Sequence, residues 1–309
     1  MNKFLVAGIV QRETIVKVDQ IPVEYASITS QPNTIDISIG GDAYNESLAL
    51  EWLGNDVDFM TMIGKHDSPD MINPYGSEVL LRTDYVLPRL SQTPTEVVLC
   101  GPDRKQQVFE DVKDVPETEY DLALFEERVG RAGMVVLSNE NFCRPLLRLA
   151  KEAGKPIAVN IRDHMSGEGS GYDDEEFLKT ADILYMSDDI LTEDPYDYVK
   201  GIVDRYAPKI VLLGLGAKGV LLYSKEDEIF APFPTVKTNK IVNTVGAGNA
   251  LFSSFLHYYF KTGNAVAAVK NAILFASYKI GFMGTSNGFM TEEQIEQWHS
   301  LIWKDGGNL

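Results

Sequence analysis

The chain has 309 residues, 44% of them apolar, which is enough for one large α/β domain with a buried core and a small appendage. Acidic residues number 45 against 28 basic ones, a net charge of −17 with no Lys/Arg run to offset it, which argues against nucleic acid and membrane surfaces and leaves small molecules as partners. Cys100 and Cys143 stand far apart without CxxC or Cys/His spacing, which excludes a disulfide scaffold and a structural zinc site and suits a reducing, cytoplasmic compartment.

The first apolar run, Phe4–Val10, ends in Gln11-Arg12-Glu13 with no small-residue cleavage site, so it reads as a buried strand and not as a signal peptide. No apolar run approaches the roughly 20 residues that span a bilayer. Further runs at Asp56–Ile63, Met134–Ser138, Ile157–Asn160, Ile183–Met186 and Ile210–Leu213 read as buried parallel strands. Helical spacing separates them, as in Ala43–Leu53 and in Arg144–Ala153, which Gly154 and Pro156 close. Alternating strands and helices predict an α/β fold, a mostly parallel sheet with helices on both faces.

Two segments break the pattern. Thr14–Ile39 is rich in β-branched residues, and Thr93–Glu110 reads as a hairpin turning at Gly101-Pro-Asp-Arg. Segments 12–39 and 93–110 together make either a small β lid on a single 1–309 domain or long surface loops.

Gly214-Leu-Gly216-Ala-Lys-Gly219 formally matches GxGxxG, but the strand-like Val220-Leu-Leu-Tyr-Ser follows it where a dinucleotide site needs a helix. The glycines therefore make a strand–turn–strand unit. Asn243-Thr-Val-Gly246-Ala-Gly248-Asn249 precedes an apolar helix, Leu251–Phe260. Glycines there leave backbone N–H groups open to a ligand at the positive end of the helix dipole, an anion hole, unless they simply start a helix tightly. Gly40-Gly41-Asp42-Ala-Tyr-Asn45 likewise fits either a hydroxylated ligand or a polar helix cap. Gly167–Gly171 reads as a solvated loop and Ala265–Ile280 as a buried Ala-rich helix.

Taken in order, Gly40-Gly41 with Asn45, Leu53-Gly54 and Met62-Ile63-Gly64 resemble the first signature of the ribokinase-like (PfkB) carbohydrate kinases. Asn243–Ala250 resembles the second, which reads Asp-Thr-x-Gly-Ala-Gly-Asp in that family. The resemblance runs from Phe4 to beyond Gly281. It implies a kinase of sugars, sugar acids or nucleosides that uses ATP and Mg2+, with a central parallel sheet and a small β lid. It implies that Gly246, Ala247 and Gly248 donate N–H groups to the transferring phosphoryl, and that Glu13, Gly41, Asp42 and Asn45 lie by the substrate. Arg162, in an Asn-x-Arg element with Asn160, is either a contact for an anionic substrate or an ordinary salt-bridge residue. The nucleotide would meet Gly214, Gly216, Gly219, Asn271 and Gly281, and the metal Asp188 and Asp189. An exposed lid edge would allow two copies to pair as a homodimer.

The sequence departs from the pattern where chemistry is expected. Asn249 stands at the position of the catalytic aspartate, and an amide cannot accept the hydroxyl proton. Asn243 replaces the other acid of that signature, Ser187-Asp-Asp-Ile190 replaces an Asn-x-x-Glu element linked to Mg2+, and Glu13 replaces a shorter aspartate. Loss of a general base costs about 10²–10⁴-fold, or roughly 3–5 kcal/mol of barrier. Two readings follow: a kinase with the base supplied otherwise, or a catalytically retired relative that binds sugar or nucleotide as a sensor or regulatory protein.

Overall fold

Strand alternation places Phe4 and Val6 on one side of β1 (Lys3–Ala7) and Leu5 and Ala7 on the other, and all four are buried. That double burial requires helices on both faces, and the computed structural model, which describes residues 2–102, 105–162, 174–189 and 191–303, shows them. The chain continues through β2 (Gln11–Lys17), β3 (Ile35–Gly40), α1 (Asp42–Trp52), β4 (Asp56–Gly64), β5 (Val86–Leu90), β6 (Thr95–Cys100) and β7 (Gln106–Asp111). Next come α2 (Leu122–Val129), β8 (Met134–Ser138), α3 (Arg144–Glu152), β9 (Ile157–Asn160), α4 (Glu175–Thr180), β10 (Ile183–Ser187), α5 (Pro195–Tyr206) and β11 (Ile210–Gly214). β12 (Val220–Ser224), β13 (Ile229–Phe233), α6 (Ala247–Thr262), α7 (Ala265–Lys279) and α8 (Glu292–Ile302) complete it.

The main sheet runs β13-β12-β11-β10-β9-β8-β1-β4-β5, parallel from β11 through β5 and antiparallel at β12 and β13. On one face, Phe4, Val6 and Phe59 pack with Phe252, Phe255 and Phe275 of α6 and α7. On the other, Leu5, Ala7 and Leu137 pack with Phe125, Leu146 and Phe177 of α2, α3 and α4. Each such side chain contributes roughly 1.5–3 kcal/mol by leaving water, so the two layers hold the sheet as a rigid floor for the site.

The elements agree with the sequence reading, with two differences. The first strand ends at Ala7, not Val10, and at Gly8, just beyond it, the packing is so tight that a Cβ would fall 2.7 Å from the Ala43 side chain. The chain then bends away to begin the second sheet. The strands β5 and β13 complete the edges of the main sheet without having been expected. The Gly214–Gly219 loop turns β11 into antiparallel β12, as the strand–turn–strand reading requires.

The second sheet is the expected lid, ordered β3-β2-β6-β7. Its register sets Ser38, Glu13, Glu96 and Glu110 in one row across four strands, and Ile37, Thr14, Val97 and Phe109 in the next. Ile37, Val97 and Phe109 are exposed, so the lid has an apolar outer face and an acidic inner one. The Gly167–Gly171 loop, Ile190 and part of the Gly101–Arg104 turn lie outside the described residues. Among the described residues no helix is long and apolar enough to cross a membrane.

Candidate active site

The start of α6 is shaped by Gly246, whose φ of 75° lies in the left-handed region that a side chain disfavours. Asn243 Oδ1 accepts the Val245 N–H at 3.0 Å and the Thr244 carbonyl accepts the Ala247 N–H at 3.2 Å, so the turn supports itself. The N–H groups of Gly246, Gly248 and Asn249 have no hydrogen-bond partner among the described residues, and all three residues line a cavity of about 260 Å3. Unpaired donors at a helix start suit an anion. The expected Ala247 contribution is redirected into the turn, and Asn249 supplies an amide in its place.

Gly248 is also a steric requirement, since a Cβ there would lie 2.4 Å from Tyr185 Oη. Tyr185 stacks on Phe252 and is thereby fixed beneath the cavity, with ring centroids 5.4 Å apart. Behind the turn, the buried ammonium of Lys279 donates to the carbonyls of Val245 and Gly284, the latter at 2.8 Å. Burial lowers this amine to about 8, and the charge of Glu13 opposes the shift.

The lid covers the site with carboxylates. Glu13 Oε1 accepts from Thr285 Oγ1 at 3.0 Å and from Ser38 Oγ at 3.2 Å; burial and then the charge of Glu96 raise its carboxyl to about 7. Glu96 Oε2 accepts from Gln11 at 2.6 Å and from Arg162 Nη2 at 2.8 Å. Arg162 also meets Glu110 at 2.5 Å and Asp42 at 3.7 Å, so among the described residues its guanidinium meets three carboxylates, two of them from the lid. Gln106 of β7 donates to Thr244 Oγ1 at 2.7 Å, which ties the lid to the turn before α6.

Asn249 lies at the centre of the floor. Its Nδ2 donates to Asp42 Oδ1 at 2.9 Å, and its Oδ1 accepts from Asn160 Nδ2 at 3.1 Å. Asn160 Nδ2 also donates to Glu46 Oε1 at 2.7 Å. Glu46 is fully buried, Oε2 has no partner, and burial followed by the Asp42 charge raises its carboxyl well above the usual range.

The cavity therefore gathers Glu13, Gly41, Asp42, Asn45, Arg162, Gly246, Gly248 and Asn249 from the sequence-derived set. Asp189 lines it too, with Ser187 Oγ donating to its carboxylate at 2.8 Å. Asp188 does not line it; burial and Asp189 raise its carboxyl. Among the described residues no group of three or more His, Cys, Asp or Glu side chains could hold a metal ion. One or two carboxylates beside a phosphate are the usual protein share of an Mg2+ site, and of the expected pair Asp189 faces the cavity while Asp188 does not.

Gly214, Gly216, Gly219, Asn271 and Gly281 fall outside the cavity lining. Gly214 is next to it, packed against Tyr185 Oη as Gly248 is. Asn271 Oδ1 is 2.7 Å from His299 Nδ1, and Gly281 packs on Asn239. A second cavity, about 330 Å3, lies between the lid and Asn243 and Met283, away from the open amides.

A fold of this kind, with an anion hole opening on a lidded polar cavity, is that of the sugar kinases. The sequence matches the pfkB family carbohydrate kinase profile over residues 1–292, and the chain belongs to that family. Among individual proteins, a deoxyribokinase from Salmonella typhi is 33% identical over 112 residues, a match covering 35% of this chain and 35% of the relative. The solved structure of a microbiome-derived acarbose kinase superposes with a TM-score of 0.81 at 22% identity, over 96% of this chain and 98% of that one. A ribokinase from Arabidopsis thaliana, complexed with ribose and ATP, gives 0.75 at 20% identity, over 96% and 98%. At these identities the two structures speak for the fold alone.

Glu96, Tyr185, Thr285 and Lys279 were missed in the sequence. Lys279 left a faint trace, as a cation at the end of the mostly apolar helix Ala265–Lys279, which also carries Lys270.

Proposed function

We propose that the protein is an ATP-dependent phosphotransferase acting on a hydroxyl of a sugar, sugar acid or nucleoside. The observation that carries this reading is the pair of unpartnered amides at Gly248 and Asn249, which open on a cavity lined by Glu13, Asp42, Asn45 and Asn160. Donors of that kind stabilise the charge on a transferring phosphoryl group, and polar side chains around them suit hydroxyls. Bound Mg2+ would offset charge on the phosphate oxygens, with Asp189, the one of the two expected carboxylates that lines the cavity, beside it.

Within that class the site favours a neutral substrate. Arg162 is held by Glu96, Glu110 and Asp42, and the remaining cavity carboxylates repel an acid. The curated relative is a deoxyribokinase, and one solved neighbour is a ribokinase that holds ribose and ATP. Neutral pentoses and nucleosides are accordingly the first compounds to try. We place the protein in the cytoplasm, in keeping with its free cysteines, and infer a homodimer through the apolar outer lid face.

A second reading, a retired sugar- or nucleotide-binding protein, is favoured by one observation: both ends of the Asn249 amide are engaged, and neither accepts a proton from a hydroxyl. An ADP-release assay with Mg·ATP separates the two readings across neutral sugars, nucleosides and sugar acids. Turnover with neutral compounds above that with acids is expected. Silence across the panel, with ATP shown to bind, overturns the kinase reading in favour of the retired one.

A further inference from the structure

We infer that Asp42 is the general base, its carboxylate having taken over the role that the amide at Asn249 cannot perform. The inference rests on the kinase reading and names the group which that reading lacks.

Among the described residues four carboxylates line the cavity: Glu13, Asp42, Glu96 and Asp189. Three are committed elsewhere. Glu13 is held by Thr285 and Ser38 at the lid, Glu96 by Gln11 and Arg162, and Asp189 by Ser187. Asp42 alone is bonded to the anion hole. Its Oδ1 accepts from Asn249 Nδ2 at 2.9 Å, and Asn249 provides one of the open amides from its own backbone. The proton acceptor and the phosphoryl donor site are thus joined through a single residue. A hydroxyl poised to attack a phosphoryl at those amides lies beside this carboxylate.

The rest of the cluster fixes the direction of that bond. Asn160 donates to Asn249 Oδ1 at 3.1 Å, which turns Asn249 Nδ2 toward Asp42. Among the described residues Asp42 Oδ2 meets Arg162 Nε alone, at 3.7 Å. That oxygen retains lone pairs for a substrate hydroxyl. The same geometry explains the amide at position 249. An aspartate there would set two carboxylates about 3 Å apart over buried Glu46, and like charges at that separation do not both ionise. Asp42 and Asn249 are complementary, one carboxylate and one amide, with the roles exchanged between two helix starts.

In the step, the Asp42 carboxylate takes the proton of the acceptor hydroxyl as its oxygen forms the new bond to the γ-phosphorus of ATP. The bond from that phosphorus to the bridging oxygen breaks, and ADP leaves with the electron pair. No oxidant or further reactant is needed.

The test compares wild type, Asp42→Asn, Asn249→Asp and the exchange variant Asp42→Asn/Asn249→Asp. ADP release is read with Mg·ATP on ribose, 2-deoxyribose and inosine, affinity for a non-hydrolysable ATP analogue by calorimetry, and folding by circular dichroism. Asp42→Asn should lower kcat on the order of 10²–10⁴-fold with unchanged analogue affinity. The exchange variant should regain at least about tenfold of that loss, because one carboxylate again faces one amide. Comparable turnover by wild type and Asp42→Asn overturns the inference while leaving the kinase reading standing. So does failure of the folded exchange variant to regain activity. A silent wild type that binds the analogue ends the kinase reading itself, and activity appearing only in Asn249→Asp places the lost base at 249.

Discussion

Thr285, on the loop after α7, donates its hydroxyl to Glu13 on the lid at 3.0 Å, so the carboxyl that closes the roof of the cavity is gripped from the core side. The same carboxyl sits in a row with Glu96 and Glu110, and burial holds it at about 7 in place of 4.5. The folded protein therefore binds a proton that the unfolded chain has already released.

The sign of the resulting pH dependence follows from that difference. Between the unfolded value of 4.5 and the folded value of about 7, the native state carries more protons, so stability falls as pH rises through this window and then levels. Glu13→Gln keeps the acceptor for Thr285 and Ser38 without a charge. It should gain on wild type by roughly 2–3 kcal/mol between about pH 5 and pH 8, read from urea unfolding at each pH. Parallel stability curves for the two proteins would contradict this.

Lys279 bridges the carbonyls of Val245 and Gly284 from a fully buried position. Lys279→Met fills most of the volume but leaves both carbonyls without a donor and releases the turn that precedes Gly246. A loss of about 2–4 kcal/mol in urea unfolding is expected, together with weaker binding of an ATP analogue. Unaltered nucleotide affinity would show that the turn holds its shape without the ammonium.

Gly248→Ala places a methyl 2.4 Å from Tyr185 Oη, a contact that forces the ring or the helix start to shift. The variant should lose roughly 1–3 kcal/mol and most of its affinity for the triphosphate. Adding Tyr185→Phe removes the clashing oxygen and should recover part of both. The measurements are a thermal melt and calorimetric titration, and failure of the second change to recover anything would locate the clash elsewhere.

Much of the fold was legible because its strands are short apolar runs between amphipathic helices, as in Met134–Ser138 and Ile157–Asn160, both buried on each face. The lid was legible as two segments with strand-like alternation, and the glycines at Gly246 and Gly248 marked the start of α6 on which the cavity opens. What the sequence did not reveal depends on register and long-range contact. Glu13, Glu96 and Glu110 become neighbours only when β2, β6 and β7 pair as they do. Arg162 reads equally as anion contact or ion-pair residue until those acids arrive beside it. The 2.9 Å contact between Asp42 and Asn249 joins residues 207 apart in the chain, and no local pattern announces it.

The central claim is that the Gly248 and Asn249 amides hold a phosphoryl group. A crystal structure with Mg2+ and a non-hydrolysable ATP analogue tests it most directly. The account predicts the terminal phosphate oxygens at hydrogen-bond distance from both amides, with Asp42 on the side where an acceptor hydroxyl would lie. A nucleotide bound elsewhere, with those amides facing only solvent, would contradict it.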